Sequence, residues 1–170
     1  MKKDNRKCKY IIGCIVLWFL SIFYYSVILS FSATPALQSS RTSENISNHI
    51  VTVVKRISNN TSKNDQRLRE TVHFCVRKAA HMINFLIFSF LNSMLFYFMS
   101  KKNLRKAMLI TLLIGLCGGV LDEISQMFVS GRASRIYDMF VDFTGTVGGC
   151  LLFLLLLRNE ILCKNEKVIV

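Results

Sequence analysis

The sequence predicts an all-α membrane protein, a bundle of four transmembrane helices with a polar outer loop between the first two. Three observations carry that prediction. Of the 170 residues, 52% are hydrophobic, more than an average soluble domain uses. These residues come in continuous blocks, several of them reaching the about 20 residues that a helix needs to cross a bilayer. The basic residues, which give a net charge of +12, gather at the ends of the blocks.

Taken in order, residues 1–9 form a basic N-terminal segment, followed by the first apolar block, Tyr10–Phe31. A basic start and the small residues of SATPA after the block imitate a secretory signal. Signal cores run to only about 7–15 apolar residues, so this longer block is expected to stay as an anchor. Residues 32–73 hold the chain's single proline and many Ser, Asn and Thr, and read as a polar loop. Within it Ile46, Ile50, Val53 and Ile57 recur at helical spacing. That fits a short amphipathic helix on the membrane surface or a loop packed over the bundle. Ala79–Met99 and Ile136–Leu157 are two further full-length blocks. Ala107–Leu121 is shorter and spans only if its helix continues through Asp122, Glu123 and Gln126. The expected helices therefore cover 10–31, 74–100, 104–129 and 134–158, the last three forming a core over 74–158, with a tail at 159–170.

Short loops rich in Lys and Arg remain on the cytoplasmic side. Lys2, Lys3, Arg6, Lys7 and Lys9 precede the first block, Lys101, Lys102, Arg105 and Lys106 separate the second from the third, and Arg158, Lys164 and Lys167 follow the last. Both termini are then cytoplasmic, and the polar loop and the link Val129–Arg135 face outward. The charge is a topology signal, and nucleic acid is not expected as a partner. Arg132 and Arg135 lie outside against the rule and call for another role. Among the six cysteines, Cys14, Cys117 and Cys150 sit in apolar blocks, and no Cys or His spacing matches a zinc site. No metal site is assigned from spacing, and the sequence names no cofactor. Gly115 with Gly119, and Gly145 with Gly149, stand four apart, a spacing that lets membrane helices approach closely. The third and fourth spans are expected to pack on each other through them.

Polar residues recur at one depth on three spans. Arg77 and His81 are four apart, with Lys78 and Asn84 beside them. Asp122, Glu123 and Gln126 close the third span. Asp138 and Asp142 share a face of the fourth with Gly145. Taken singly, each has a structural reading: Lys78 can snorkel, and Asp138 suits the first turn of a helix. A carboxylate inside a span costs roughly 2.5–3.5 kcal/mol on insertion scales, which makes such residues paired or functional. The set His81, Asp122, Glu123, Gln126, Asp138 and Asp142 is therefore the candidate site, with Arg77, Lys78 and Arg132 as candidate ligand-binding cations.

The stretch RKAAHMINF, followed by DEISQMFVSGRASRIYDMFVDFTGTVGG, resembles the VanZ-like family of bacterial membrane proteins. That pattern runs Arg-Lys, His, then usually a Glu-aromatic pair, and resumes as Asp-Glu-x-x-Gln, Arg, Asp, Asp or Asn, and a glycine pair. Arg77, Lys78, His81, Asp122, Glu123, Gln126, Arg132, Asp138, Asp142, Gly145 and Gly149 fill it, and Phe85 keeps the aromatic place. Asn84 stands where the family usually has Glu. The resemblance implies a multi-pass protein of the bacterial cell envelope, in a family named for low-level resistance to the glycopeptide teicoplanin, and implies no defined reaction.

Two functions fit. One is an outward polar pocket engaging a membrane lipid, a lipid-linked cell-wall precursor or the glycopeptide itself, with the cations binding phosphate or carboxylate. The other is a membrane-embedded hydrolase or transferase acting on such lipids. There His81 would be acid or base, and the carboxylates would orient it or bind a divalent cation. No serine or cysteine motif beside His81 marks a nucleophile. Oligomeric state has no signal.

Overall fold

The computed structural model describes residues 2–33, 47–53, 65–129 and 136–166. They form four long helices, α1 (Lys2–Ser32), α3 (Asp65–Met99), α4 (Leu104–Met127) and α5 (Ile136–Glu166), with a short helix, α2, at 47–53. Each long helix contains a stretch apolar and long enough to cross a membrane: Lys7–Ser32, Gln66–Met99, Leu104–Met127 and Ile136–Asn159. The protein is a multi-pass membrane protein. Its outer surface carries large apolar side chains such as Phe19, Phe23, Leu109 and Leu155, all more than half exposed, as a lipid-facing surface does.

α3 occupies the centre and touches all three other long helices, most extensively α5. Its inward face is buried through Phe85, Phe88, Ser89, Asn92, Ser93 and Leu95. α1 is peripheral and engages the bundle along one stripe, buried Ser21, Ile28 and Ser32 with half-buried Tyr24 and Tyr25. Ile28 packs with Phe85 and Phe88 in a small apolar cluster.

Gly115 and Gly119 of α4 face α5 as expected, at Thr146 and Asp142, whereas the glycines of α5 meet a different neighbour. A Cβ on Gly145 would lie 2.2 Å from the Met82 carbonyl oxygen, and one on Gly149 would lie 2.3 Å from that of Leu86. Both therefore seat α5 against the backbone of α3, not against α4. Gly115 does face α5, where a Cβ would come 2.3 Å from the Thr146 side chain. Spacing by four marks a smooth helix face, but a helix inside a bundle has several neighbours, and spacing does not say which one uses that face.

The helices also run further than their apolar blocks. α3 begins at Asp65 rather than near 74, its polar residues 65–73 continuing the same helix as the apolar block. Its 35 residues measure about 52 Å at 1.5 Å each, against about 30 Å of hydrocarbon. The first turns, with Arg67, Arg69 and Glu70, thus project beyond the apolar zone. α1 likewise starts at Lys2 and α5 continues to Glu166, whereas α4 stops at Met127. Residues 134 and 135, the expected start of the last helix, lie outside the described residues.

Residues 47–53 bear out the short helix in the polar loop, and it also packs on the bundle. Ser47 and Val51, one turn apart, are buried, and Arg69 Nη1 donates to Asn48 Oδ1 at 2.7 Å. Ile50 and Val53 point away and are exposed, while Ile46 and Ile57 lie outside the described residues. At the opposite end of α3 the chain turns sharply into α4. Lys101 and Lys102 take left-handed backbone angles (φ 51° and 67°), and the Asn103 side chain caps α4 by accepting from the Lys106 amide at 3.1 Å.

Candidate functional site

The chain enters α3, leaves α4 and enters α5 at one end of the bundle, the end where α1 finishes. Polar residues on that side of the bundle therefore meet, those of α4 and α5 near the helix ends and those of α3 about four turns inside it. From α3 come Lys78 and His81, from α4 the buried Asp122, Glu123 and Gln126, and from α5 the buried Asp138 and Asp142.

At the centre, His81 Nδ1 lies 3.6 Å from Asp142 Oδ1 and 3.9 Å from Asp122 Oδ2. Asp122 is 0% and Asp142 1% exposed. Gln126 Nε2 donates to Asp122 Oδ2 at 2.8 Å, the four-residue spacing placing it one turn along the same face. Gly119 leaves room for Asp142, whose Cβ would be 3.4 Å from a Cβ added there. The second Asp122 oxygen and both Asp142 oxygens have no hydrogen-bond partner. Glu123, next along α4 from Asp122, is also buried.

Beside this centre stands an ion pair. Lys78 Nζ bonds Asp138 Oδ1 between mostly buried side chains, and the same ammonium lies 5.3 Å from the centroid of the Phe74 ring, a cation–π distance. Lys78 is therefore engaged by Asp138 rather than turned into the centre. Arg77 is half-buried and makes no ion pair with an acid among the described residues. Arg132 lies outside them.

Chemically, the centre gathers carboxylates around one imidazole, out of water. His81, 16% exposed at its side chain, is the member nearest solvent. One atom each from His81, Asp122 and Asp142 lie within 4.8 Å of one another, a grouping able to hold a metal ion.

The profile of the VanZ/LLP1 family matches residues 17–157. The chain belongs to the VanZ/LLP1 family. No curated protein and no solved structure matches it. The VanZ/LLP1 match begins inside α1 and takes in the loop, so it reaches well beyond the stretch from Arg77 to Gly149 that carries the sequence resemblance.

α1 also touches the polar residues. Tyr24 donates to Asn84 Oδ1 at 3.2 Å, so Asn84 accepts a hydrogen bond that a carboxylate could also accept. Tyr25 donates to the Gly118 carbonyl at 2.9 Å, and buried Ser32 comes up beside the Asp122 carboxylate. None of these α1 residues follows from the motif in α3–α5. Their signal is nevertheless present: Tyr24, Tyr25, Ile28 and Ser32 fall on one helical stripe in the last turns of an otherwise lipid-like span.

Proposed function

We propose that this VanZ/LLP1 protein is a bacterial cell-envelope protein whose polar pocket opens outward and engages the anionic headgroup of a lipid-linked cell-wall precursor. One observation carries the reading: Arg77, half-buried and with no acid partner among the described residues, stands one helical turn from His81, whose neighbouring carboxylates are buried. A guanidinium so placed offers a forked pair of donors to phosphate or carboxylate. The buried acids behind it hold the neighbouring donors in position. The outward orientation, with both termini cytoplasmic, is supported by the basic turn at 101–106 and the basic ends of the chain. Shielding such a precursor from a glycopeptide such as teicoplanin is the resistance that this reading expects.

A membrane-embedded hydrolase or transferase is the second reading. The placement of His81 within 4 Å of two carboxylates favours it, because that arrangement suits an acid or base.

Titration of the purified chain with a polyprenyl phosphate and with the matching uncharged polyprenol tests the first reading. The phosphate should bind at least about tenfold more tightly. Arg77→Gln should erase most of that preference, since a charged hydrogen bond contributes about 1.5–3 kcal/mol. Equal binding of the two lipids, or an Arg77→Gln variant that keeps the preference, overturns the reading. An impermeant thiol reagent should label Asn60→Cys from outside and Lys102→Cys only from inside, in a background without other cysteines. Turnover of the bound lipid would transfer the argument to the enzyme.

A further inference from the structure

We propose that His81, Asp122 and Asp142 form a binding site for one first-row divalent cation, Zn2+ or Mn2+. The site shares the pocket of the reading above but does not depend on a lipid ligand.

Geometry comes first. Metal bonds to imidazole nitrogen and carboxylate oxygen measure about 2.0–2.2 Å, so two donors on one ion sit no more than about 4.4 Å apart. The separations of His81 Nδ1 from Asp142 Oδ1 and from Asp122 Oδ2, 3.6 and 3.9 Å, fall inside that limit. They are also longer than a hydrogen bond between the same atoms would be. The three donors come from three different helices, which no pairing within one helix could arrange.

Unmet valence is the second and independent observation. Both oxygens of Asp142 and Oδ1 of Asp122 are buried and make no hydrogen bond of normal geometry, with His81 and Ser32 the polar side chains that stand beside them, on residues 1% and 0% exposed. Two carboxylates withdrawn from water in this way are costly unless paired. Lys78 is committed to Asp138, and one imidazolium would balance one carboxylate at most. A divalent cation balances both.

The surroundings are those of a built site. Gln126 fixes Asp122 through its 2.8 Å hydrogen bond, as outer partners orient metal ligands. The close fit of Asp142 against Gly119 limits movement on the other side. A mixed set of one nitrogen and two carboxylates suits Zn2+ or Mn2+ rather than Ca2+ or Mg2+, which favour oxygen alone, or Cu+, which favours sulfur. Three protein donors leave coordination positions for water or an incoming oxygen. An otherwise acidic centre would thereby accept an anion.

The test uses the full chain with an affinity tag free of histidine, purified in mild detergent, stripped with chelator and dialysed against Zn2+ or Mn2+ alone. Elemental analysis should find about one ion per chain. Asp142→Asn and His81→Gln should weaken binding by about 100-fold or more, and Gln126→Ala by about 10–100-fold, the usual effect of losing an outer partner. His49→Gln and His73→Gln should leave it unchanged. Co2+ in the unaltered chain should give a visible absorption band that Zn2+ abolishes, a readout that does not require the variants to fold. Substoichiometric ion, the absence of that band, or an Asp142→Asn chain that binds as well as the original overturns the proposal. An ion bound without any preference for polyprenyl phosphate would preserve the site and remove the lipid reading. Lipid preference without an ion would do the reverse.

Discussion

Two layers of the same three-helix interface obey opposite rules. In the middle of the bundle, Gly145 and Gly149 bring α5 onto the α3 backbone and Gly115 admits Thr146, with no volume to spare. About one turn away, His81, Asp122 and Asp142 stand 3.6–3.9 Å apart with carboxylate oxygens unmatched. The first layer is built by removing side chains, the second by introducing polar ones that the fold does not satisfy. Close packing costs nothing further once formed. An unsatisfied buried polar group is a standing cost, and a structure that keeps several beside a tight seam is using the seam to hold them. The glycines can thus be understood as the support of the polar layer.

The most severe way to break that relation is Gly145→Leu. Its Cβ alone would meet a carbonyl oxygen at 2.2 Å, so α3 and α5 must separate, and the protein should fail to accumulate in the membrane. Gly13→Leu, at a glycine with nothing within 4 Å of an added Cβ, should accumulate normally. Equal accumulation of the two would show that the seam is not structural.

Next in size is the ion pair at the edge of the polar layer. Lys78→Met leaves Asp138 mostly buried without its cation and should cost about 3 kcal/mol, read as lost thermal stability in detergent. Adding Asp138→Asn should recover more than half of that loss. A double variant no better than Lys78→Met would mean that Lys78 acts through something other than Asp138. Smallest is Tyr24→Phe, which removes the hydrogen bond to Asn84. Interhelical hydrogen bonds in membranes average about 0.6 kcal/mol, so the shift should be slight. A large one would place α1 among the supports of the polar layer.

Much of this was legible beforehand, for physical reasons. Hydropathy reports the transfer of a helix into lipid, so the four spans could be read directly, and spacing within a helix showed that Asp122 and Gln126 share a face. The motif from Arg77 to Gly149 carried the family. Hydropathy stops reporting where a helix leaves the bilayer, and so the extension of α3 back to Asp65 was not visible. Nor does spacing contain the rotation of one helix against another. For that reason Gly145 and Gly149 turned out to face α3, and Lys78 met Asp138 while His81 met Asp142. The polar stripe of α1 was missed because a tyrosine in a membrane span looks apolar until its hydroxyl has a partner.

The division of the site among α3, α4 and α5 also sets a timetable for biosynthesis. His81 is translated before Asp122, and Asp122 before Asp142, so α3 must enter the bilayer while neither of its carboxylate neighbours exists. During that interval water or lipid headgroups would have to satisfy the imidazole, and its place at the start of the apolar block Ala79–Met99 suits that. The same holds for Asp122, Glu123 and Gln126, which close α4 rather than interrupt it. On that order each helix would enter on its own hydropathy, and the shared burial of its polar residues would be complete only with α5 in place.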